Sequence, residues 1–239
     1  MQAASPESEA KIAAMFDRIA PGYDFLNRLL SMGQDRQWRR AMVSELPHQG
    51  DLRLLDIATG TGDVILAAAP NYQRAQFLGI DISAEMLRLA DSKFHAYQSS
   101  HPSKSVFQTQ QMSMEKLNFA DESFNAVTVS FGLRNVVQKE LGISEAFRVL
   151  KQGGRFLILE FFMPRSGWLG KLFQWYFRHI LPRIGGLFSD RQAYSYLPAS
   201  VMGFYDPKRM QEVLMAAGFK RPVSRSFLFG AVHLVIAEK

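Results

Sequence analysis

Asp56-Ile57-Ala58-Thr59-Gly60-Thr61-Gly62-Asp63 closes one apolar run, Leu52–Ala58 (LRLLDIA), and opens another, Asp63–Ala69, which Pro70 ends. The first run reads as a buried strand and the second as a short helix. An acid followed by Gly-x-Gly at a strand-to-helix turn is a nucleotide-type loop. Its glycines permit a tight turn and let a ligand approach the backbone closely. Such a loop sits at the carboxyl end of the first strand, where open α/β sheets bind ligands.

Two features choose among ligands. The third glycine of the dinucleotide pattern G-x-G-x-x-G is missing, because Asp63-Val64-Ile65 follows Gly62. An acid at the helix start would repel a pyrophosphate, whereas S-adenosylmethionine has no phosphate and carries an ammonium and a sulfonium. The second strand, Gln76–Asp81, ends in Asp81-Ile82 about twenty residues on, where a carboxylate accepts hydrogen bonds from both ribose hydroxyls. Asp56 and Asp63 also fit a role in bracing the loop or capping the helix, and Asp81 a role as a turn acid.

Outward from this loop, strands and helices alternate. The helix Ala84–Ala96 is capped by Ser83, and a weaker strand follows at Ser105–Gln110. Then come the strand Phe124–Phe131, the helix Lys139–Leu150 and the strand Arg155–Phe161. This alternation predicts a mostly parallel sheet covered on both faces. After a helix at Pro207–Ala217, two adjacent apolar strands, 220–229 and 231–237, join at Gly230 and predict an antiparallel hairpin.

The expected organisation is a single α/β domain. Residues 11–46 form a helical lid in three pieces, 51–161 the ligand-binding core, 162–206 an apolar insertion after the fifth strand, and 207–239 the closing helix and strands. The insertion carries Trp168, Phe173, Trp175, Tyr176 and Phe177, with Arg165, Lys171, Arg178, Arg183 and Arg191 against Asp190.

The 239 residues include no cysteine, which excludes a disulfide scaffold, thiolate metal sites and a Cys nucleophile. No two of the five histidines share a helix face, so no metal site is expected. The start is polar and no long apolar run follows, so a cytoplasmic protein is expected. The net charge of +6 points to an anionic surface or a nucleic acid. The basic residues are spread rather than striped, which argues against nucleic acid.

Several segments resemble one family. LLDIATGTGD and GIDISAEML are shared by many class I S-adenosylmethionine-dependent methyltransferases. Met15-Phe16-Asp17-Arg18-Ile19-Ala20, Tyr23-Asp24 and Asn27–Ser31 are more specific, and Ser130-Phe131-Gly132-Leu133-Arg134-Asn135 is the most discriminating. Together with Leu181–Gly185 and Tyr194–Leu197, they resemble the ubiquinone/menaquinone biosynthesis C-methyltransferases (UbiE type) from about residue 11 to 239.

The resemblance implies a Rossmann-like, seven-stranded class I methyltransferase fold and S-adenosylmethionine as cofactor. The implied contacts are Asp56, Gly60, Thr61, Gly62, Asp81, Ile82, Ser113, Met114 and Ser130. Ser113-Met114 stands where the family usually has Asp or Asn then Ala at the adenine edge, which is a departure. The implied substrate is a polyprenylated quinol. Both demethylmenaquinol and a 2-polyprenyl-6-methoxy-1,4-benzoquinol fit, and the short amino-terminal extension favours the first.

C-methylation needs a ring carbon made nucleophilic by a neighbouring phenolate. Arg134, always cationic, is expected to stabilise that phenolate, through a water that takes the proton. Asn135 is expected to orient the water or the second quinol oxygen. Tyr23 is expected to bond the substrate or close over the cofactor. Arg134 also fits a pairing with an acid such as Asp24 that pins the lid. The insertion fits an isoprenoid pocket resting on anionic lipid, a core-packing element, or a face for a homodimer or a quinone-biosynthesis complex. Two other readings stay open, an RNA methyltransferase and a non-catalytic S-adenosylmethionine-binding assembly protein.

Overall fold

A computed structural model describes residues 6–48, 51–164 and 191–239. Among these residues the chain forms a seven-stranded sheet in the order β3-β2-β1-β4-β5-β7-β6. The strands are β1 Leu52–Ile57, β2 Ala75–Asp81, β3 Val106–Gln111, β4 Phe124–Ser130, β5 Leu150–Phe161, β6 Lys220–Phe227 and β7 Val232–Glu238. β1 to β5 pair in parallel, and β7 runs antiparallel to both β5 and β6. The parallel sheet, the terminal hairpin and the class I methyltransferase fold are therefore as the sequence implies.

Alternation along the strands sends side chains to two buried faces. Leu55, Ile57, Val127, Val129, Phe156 and Ile158 pack on one side with Ile143, Met210 and Leu214. Leu54, Phe77, Ala126, Leu157 and Leu159 pack on the other with Trp38, Met42, Ile65 and Phe94. The helices behind these contacts are α3 Asp35–Val43, α4 Asp63–Ala68, α5 Ala84–Ser100, α6 Lys139–Val149 and α8 Pro207–Ala216. Burial on both faces explains why the central strands read as near-continuous apolar runs. Ser83 caps α5 by accepting from the Met86 N–H, as the sequence indicates.

The amino-terminal helices are α1 Pro6–Ile19, α2 Tyr23–Leu30 and α3. They break at Pro21-Gly22 and at Met32-Gly33, where both residues have positive φ. α1 starts five residues earlier than the lid boundary expected at residue 11, because Pro6 is well suited to a first helical position. β5 starts at Leu150 rather than Arg155. Gly153, at φ 72°, and Gly154 form an irregular start to the strand instead of a stop between helix and strand.

Helix α7, Arg191–Met202, belongs to the insertion. Trp168, Phe173, Trp175, Tyr176, Phe177 and the basic residues from Arg165 to Arg183 lie outside the described residues. So does the Leu181–Gly185 segment. Among the described residues, no helix is long and apolar enough to cross a membrane.

Candidate active site

The carboxyl ends of β1 to β4 open onto one cleft of about 670 Å³, counting the space open to solvent. Small-molecule sites span roughly 300–1,000 Å³. Glu9, Ile12, Phe16 and Tyr23 from α1 and α2 roof it. Gly60, Asp81, Ile82, Ser113, Met114 and Ser130 line it, together with Tyr23 and Asn135. Asp56, Thr61, Gly62 and Arg134 lie outside the lining.

Asp56, Thr61 and Gly62 build the loop. Asp56, 1% exposed, accepts from the Thr59 hydroxyl at 2.7 Å and the Thr128 hydroxyl at 2.6 Å, tying β1 to β4. Burial pushes its carboxyl up to about 7, against the two hydroxyl donors. Gly62 has φ +83°, and a Cβ there would stand 2.5 Å from the Phe94 ring, so the turn over α5 requires glycine. Thr61 donates to Asp24 of α2 at 2.6 Å and accepts from Lys93 of α5 at 2.8 Å. The loop's second Thr is thus a joint between floor and roof.

Asp63 does not carry the preference for a cation that its position suggests. It pairs with Arg39 at 2.9 Å and with Lys93 at 2.9 Å. Burial alone would raise its carboxyl, but these two cations hold it below the ordinary range. The preference comes instead from the cleft lining. Among the described residues no Lys or Arg lines the cleft, whereas Glu9, Asp81 and Glu115 do. That lining repels a phosphate and favours a cation.

Asp81 accepts from the Gly60 N–H and the Ser83 N–H, each at 2.9 Å. A carboxylate has about four acceptor positions, so both oxygens retain capacity for a ribose diol. Burial pushes this carboxyl up; the N–H groups of Ser83, Gly60 and Ile82 oppose that, and the charge of Asp17 adds to it.

Two non-glycine residues at the strand ends stand in the left-handed region, Ala58 at φ 50° and Phe131 at φ 56°. Such backbone costs about 1–3 kcal/mol per residue and persists where packing over-determines it. The packing here is close. A Cβ on Gly132 would fall 2.4 Å from the Ala58 Cβ, so the loops after β1 and β4 abut through that glycine. The abutment aims Ser130 and Asn135 into the cleft. Ser130 Oγ, Arg134 Nε and Asn135 Oδ1 are buried with no hydrogen-bond partner among the described residues. Buried polar atoms are normally paired, so three such atoms within six residues mark a place for a polar ligand.

Arg134 pairs with Glu160, not with Asp24. Its Nη1 lies 2.7 Å from Glu160 Oε1, with side chains 8% and 0% exposed. Nη1 also donates to the Phe131 carbonyl, and the Arg134 backbone N–H donates to Glu160 at 3.2 Å. Asp24 is committed to Thr61 and Lys93. The reason is topological: β5 lies beside β4 and brings Glu160 directly under Arg134. The Arg134 charge reaches Tyr23 and Tyr196, and burial raises the hydroxyl of each. Both tyrosines therefore remain protonated donors at neutral pH.

A sequence profile of the ubiE/COQ5 methyltransferase family matches residues 4–239. The chain belongs to the ubiE/COQ5 methyltransferase family. A ubiquinone/menaquinone biosynthesis C-methyltransferase UbiE from Syntrophotalea carbinolica is 46% identical, across 92% of this chain and 90% of its own. A demethylmenaquinone methyltransferase from Deinococcus radiodurans is 41% identical, across 95% and 92%. The fold is shared with a solved SAM-dependent methyltransferase from Thermotoga maritima at TM-score 0.64, with 17% identity and 95% and 99% of the two chains covered.

In this ubiE/COQ5 family member the cleft fits S-adenosylmethionine: Asp81 keeps free capacity and, among the described residues, Ser130 and Asn135 are unpaired and no cation lines the cleft. Residues that sequence reading missed complete the arrangement: Glu9, Asp17, Lys93 and Glu160. Only Glu160 left a signal, a lone acid inside the apolar strand RFLILEFF.

Proposed function

We propose that this protein methylates a ring carbon of a polyprenylated quinol in menaquinone or ubiquinone biosynthesis, with S-adenosylmethionine as donor and demethylmenaquinol as the favoured acceptor. The observation that carries the reading is that Ser130 Oγ, Arg134 Nε and Asn135 Oδ1, buried within six residues after β4, have no hydrogen-bond partner among the described residues. The relatives, methyltransferases of quinone biosynthesis, support the quinol. S-adenosylmethionine, when bound, supplies an electrophilic methyl group on sulfur.

In this reading Gly60, Asp81, Ile82, Ser113, Met114 and Ser130 contact the cofactor. Asp56, Thr61 and Gly62 shape the loop that receives it. Arg134 Nε–H donates to the ring oxygen next to the reacting carbon and stabilises it as a phenolate, while the proton passes to water. Glu160 holds the guanidinium in position through Nη1. Asn135 Oδ1 accepts from the second hydroxyl, and Tyr23 donates to the substrate from the roof. Positioning of this kind supplies much of a barrier reduction. Within the lid expected over residues 11–46, α1 and α2 are the part that closes over the cleft, and α3 anchors it to the core.

A peripheral contact with anionic lipid is part of the same reading. Leu29 and Met32, three residues apart, are 42% and 76% exposed on the lid, and the chain carries +6 charge.

The test is methyl transfer from labelled S-adenosylmethionine to a demethylmenaquinol and to a 2-polyprenyl-6-methoxy-1,4-benzoquinol. Transfer to the first is expected, and no transfer to either overturns the quinol reading. Arg134→Ala should lower kcat by about 10³-fold, with affinity for S-adenosylhomocysteine unchanged. Full turnover by that variant would refute the role of Arg134.

A further inference from the structure

We propose that Glu9, on helix α1, is the acceptor for the exocyclic amino group of the cofactor's adenine ring, and that Ser113 holds it there. The inference rests on the reading of the cleft as an S-adenosylmethionine site.

Asp81 sets the direction. With the ribose diol on its carboxylate, the cleft extends two ways along the strand ends. One way leads to β1 and β4, where Gly60, Ser130 and Asn135 lie and where the unpaired polar atoms mark the reacting end. The other leads to β3, the next strand beyond β2 in the sheet. A base attached to the same ribose must take the second way. Its walls are apolar: Ile82, Met86, Met112 and Met114 from the core, Ile12 and Phe16 from α1. Such a slot suits a flat ring.

The slot ends in three polar side chains, and two are already committed. Glu115 accepts from the Val137 N–H at 3.0 Å and the Gln138 N–H at 2.8 Å through one oxygen, and from the Gln138 amide at 3.0 Å through the other. The Ser113 hydroxyl donates to Glu9 Oε2 at 2.9 Å and accepts from the Glu115 N–H at 3.2 Å. Glu9 Oε2 accepts that one hydrogen bond, and Oε1 accepts none among the described residues. The carboxylate is half-buried and lines the cleft. An amino group is a pure donor toward a carboxylate, and a charge-assisted N–H···O⁻ bond is about twice as strong as a neutral one. Ser113 itself brings no charge to this edge. Its function is to orient a carboxylate delivered from 104 residues away.

The assignment also gives a role to the reach of α1 to Ser113, just past β3. A base seated against Glu9 fastens the roof to the floor, so cofactor binding and lid order become one event.

The experiment is a double-mutant cycle by calorimetry on the full chain. Wild type, Glu9→Ala and Glu9→Gln are each titrated with S-adenosylhomocysteine and with its analogue lacking the 6-amino group. Wild type is expected to prefer the amino compound by about 10- to 100-fold, the worth of a hydrogen bond to a charged group. Glu9→Ala should bind the two compounds alike. Glu9→Gln, whose amide oxygen still accepts, should recover part of the preference. If Glu9→Ala keeps the wild-type ratio, the assignment fails while the cofactor site stands. If wild type binds neither compound, the cofactor reading fails and this inference with it.

Discussion

The floor of the cleft and its roof are built by different physics. The floor is backbone: the Thr59 N–H donates to the Ile80 carbonyl at 2.9 Å, the Gly62 N–H to the Thr59 carbonyl at 2.9 Å, and Asp81 takes two main-chain donors. Behind it lie two apolar cores. The roof, α1 and α2, rests on a small cluster of Ile19, Ala20, Leu26 and Met86 and on three acids. Glu9 meets Ser113; Asp17 takes the Ser83 hydroxyl at 2.6 Å and the Glu85 N–H at 3.2 Å; Asp24 takes Thr61 and Lys93. α3 differs from both, because it buries Trp38 and Met42 in the core, each worth about 1.5–3 kcal/mol. The proposed lid is thus held by a small apolar cluster and by polar contacts that water can replace. The floor is held by apolar burial and main-chain bonds.

The largest effect should come from the floor. If Asp81 holds the ribose as proposed, Asp81→Ala removes the acceptor for two hydroxyls, each a hydrogen bond to a charged group. Affinity for S-adenosylhomocysteine should fall by about 100-fold or more in calorimetry. A loss below tenfold would mean that the ribose lies elsewhere.

Glu160→Gln tests the floor beneath the substrate. It leaves the strand volume unchanged but removes the charge that fixes Arg134. Turnover should fall about 10- to 100-fold while cofactor affinity holds, the pattern of a group misplaced in the transition state. An equal fall in cofactor affinity would place the pair under the cofactor instead.

The roof should respond less. Asp24→Asn keeps a hydrogen bond to Thr61 but breaks the ion pair with Lys93, whose partners are 30% and 37% exposed. Partly exposed pairs contribute about 1 kcal/mol or less. S-adenosylhomocysteine should leave about 3- to 5-fold faster in stopped-flow chase, with smaller differences at high salt. An unchanged dissociation rate would show that the roof does not gate release.

The same contrast explains what the sequence revealed. The glycine loop, the acid at the end of β2 and the cap at Ser83 are local: their partners lie within a few residues or one strand away, and turn chemistry names them. The roof's contacts join residues 9 and 113, 17 and 83, 24 and 61, and no spacing rule links such pairs. Asp63 shows the opposite error. Its position beside the glycines reads as a charge for the ligand, but Arg39 and Lys93, brought in by α3 and α5, neutralise it. Arg134 is a candidate cation that the sequence brings forward; its partner is not legible there, because the register between β4 and β5 decides between Asp24 and Glu160.

Asp56 offers the subtlest probe of the floor, through stability and not through ligand affinity. Its carboxyl titrates at about 7 in the folded protein, against 3.8 ordinarily, because burial disfavours the charge more than Thr59 and Thr128 favour it. The folded state therefore holds this proton more tightly than the unfolded chain does. Between pH 4 and 7 the unfolded state binds fewer protons, so Asp56 makes stability decline as pH rises, and the decline is complete above about 7. Asp56→Asn removes the ionisation, while its amide can still bond both hydroxyls if one of them reverses. The Tm of the variant minus that of wild type should increase by a few degrees from pH 5 to pH 8 and then level off. A difference constant across that range would mean that the two threonines outweigh burial and that Asp56 is a charged brace at every pH of interest.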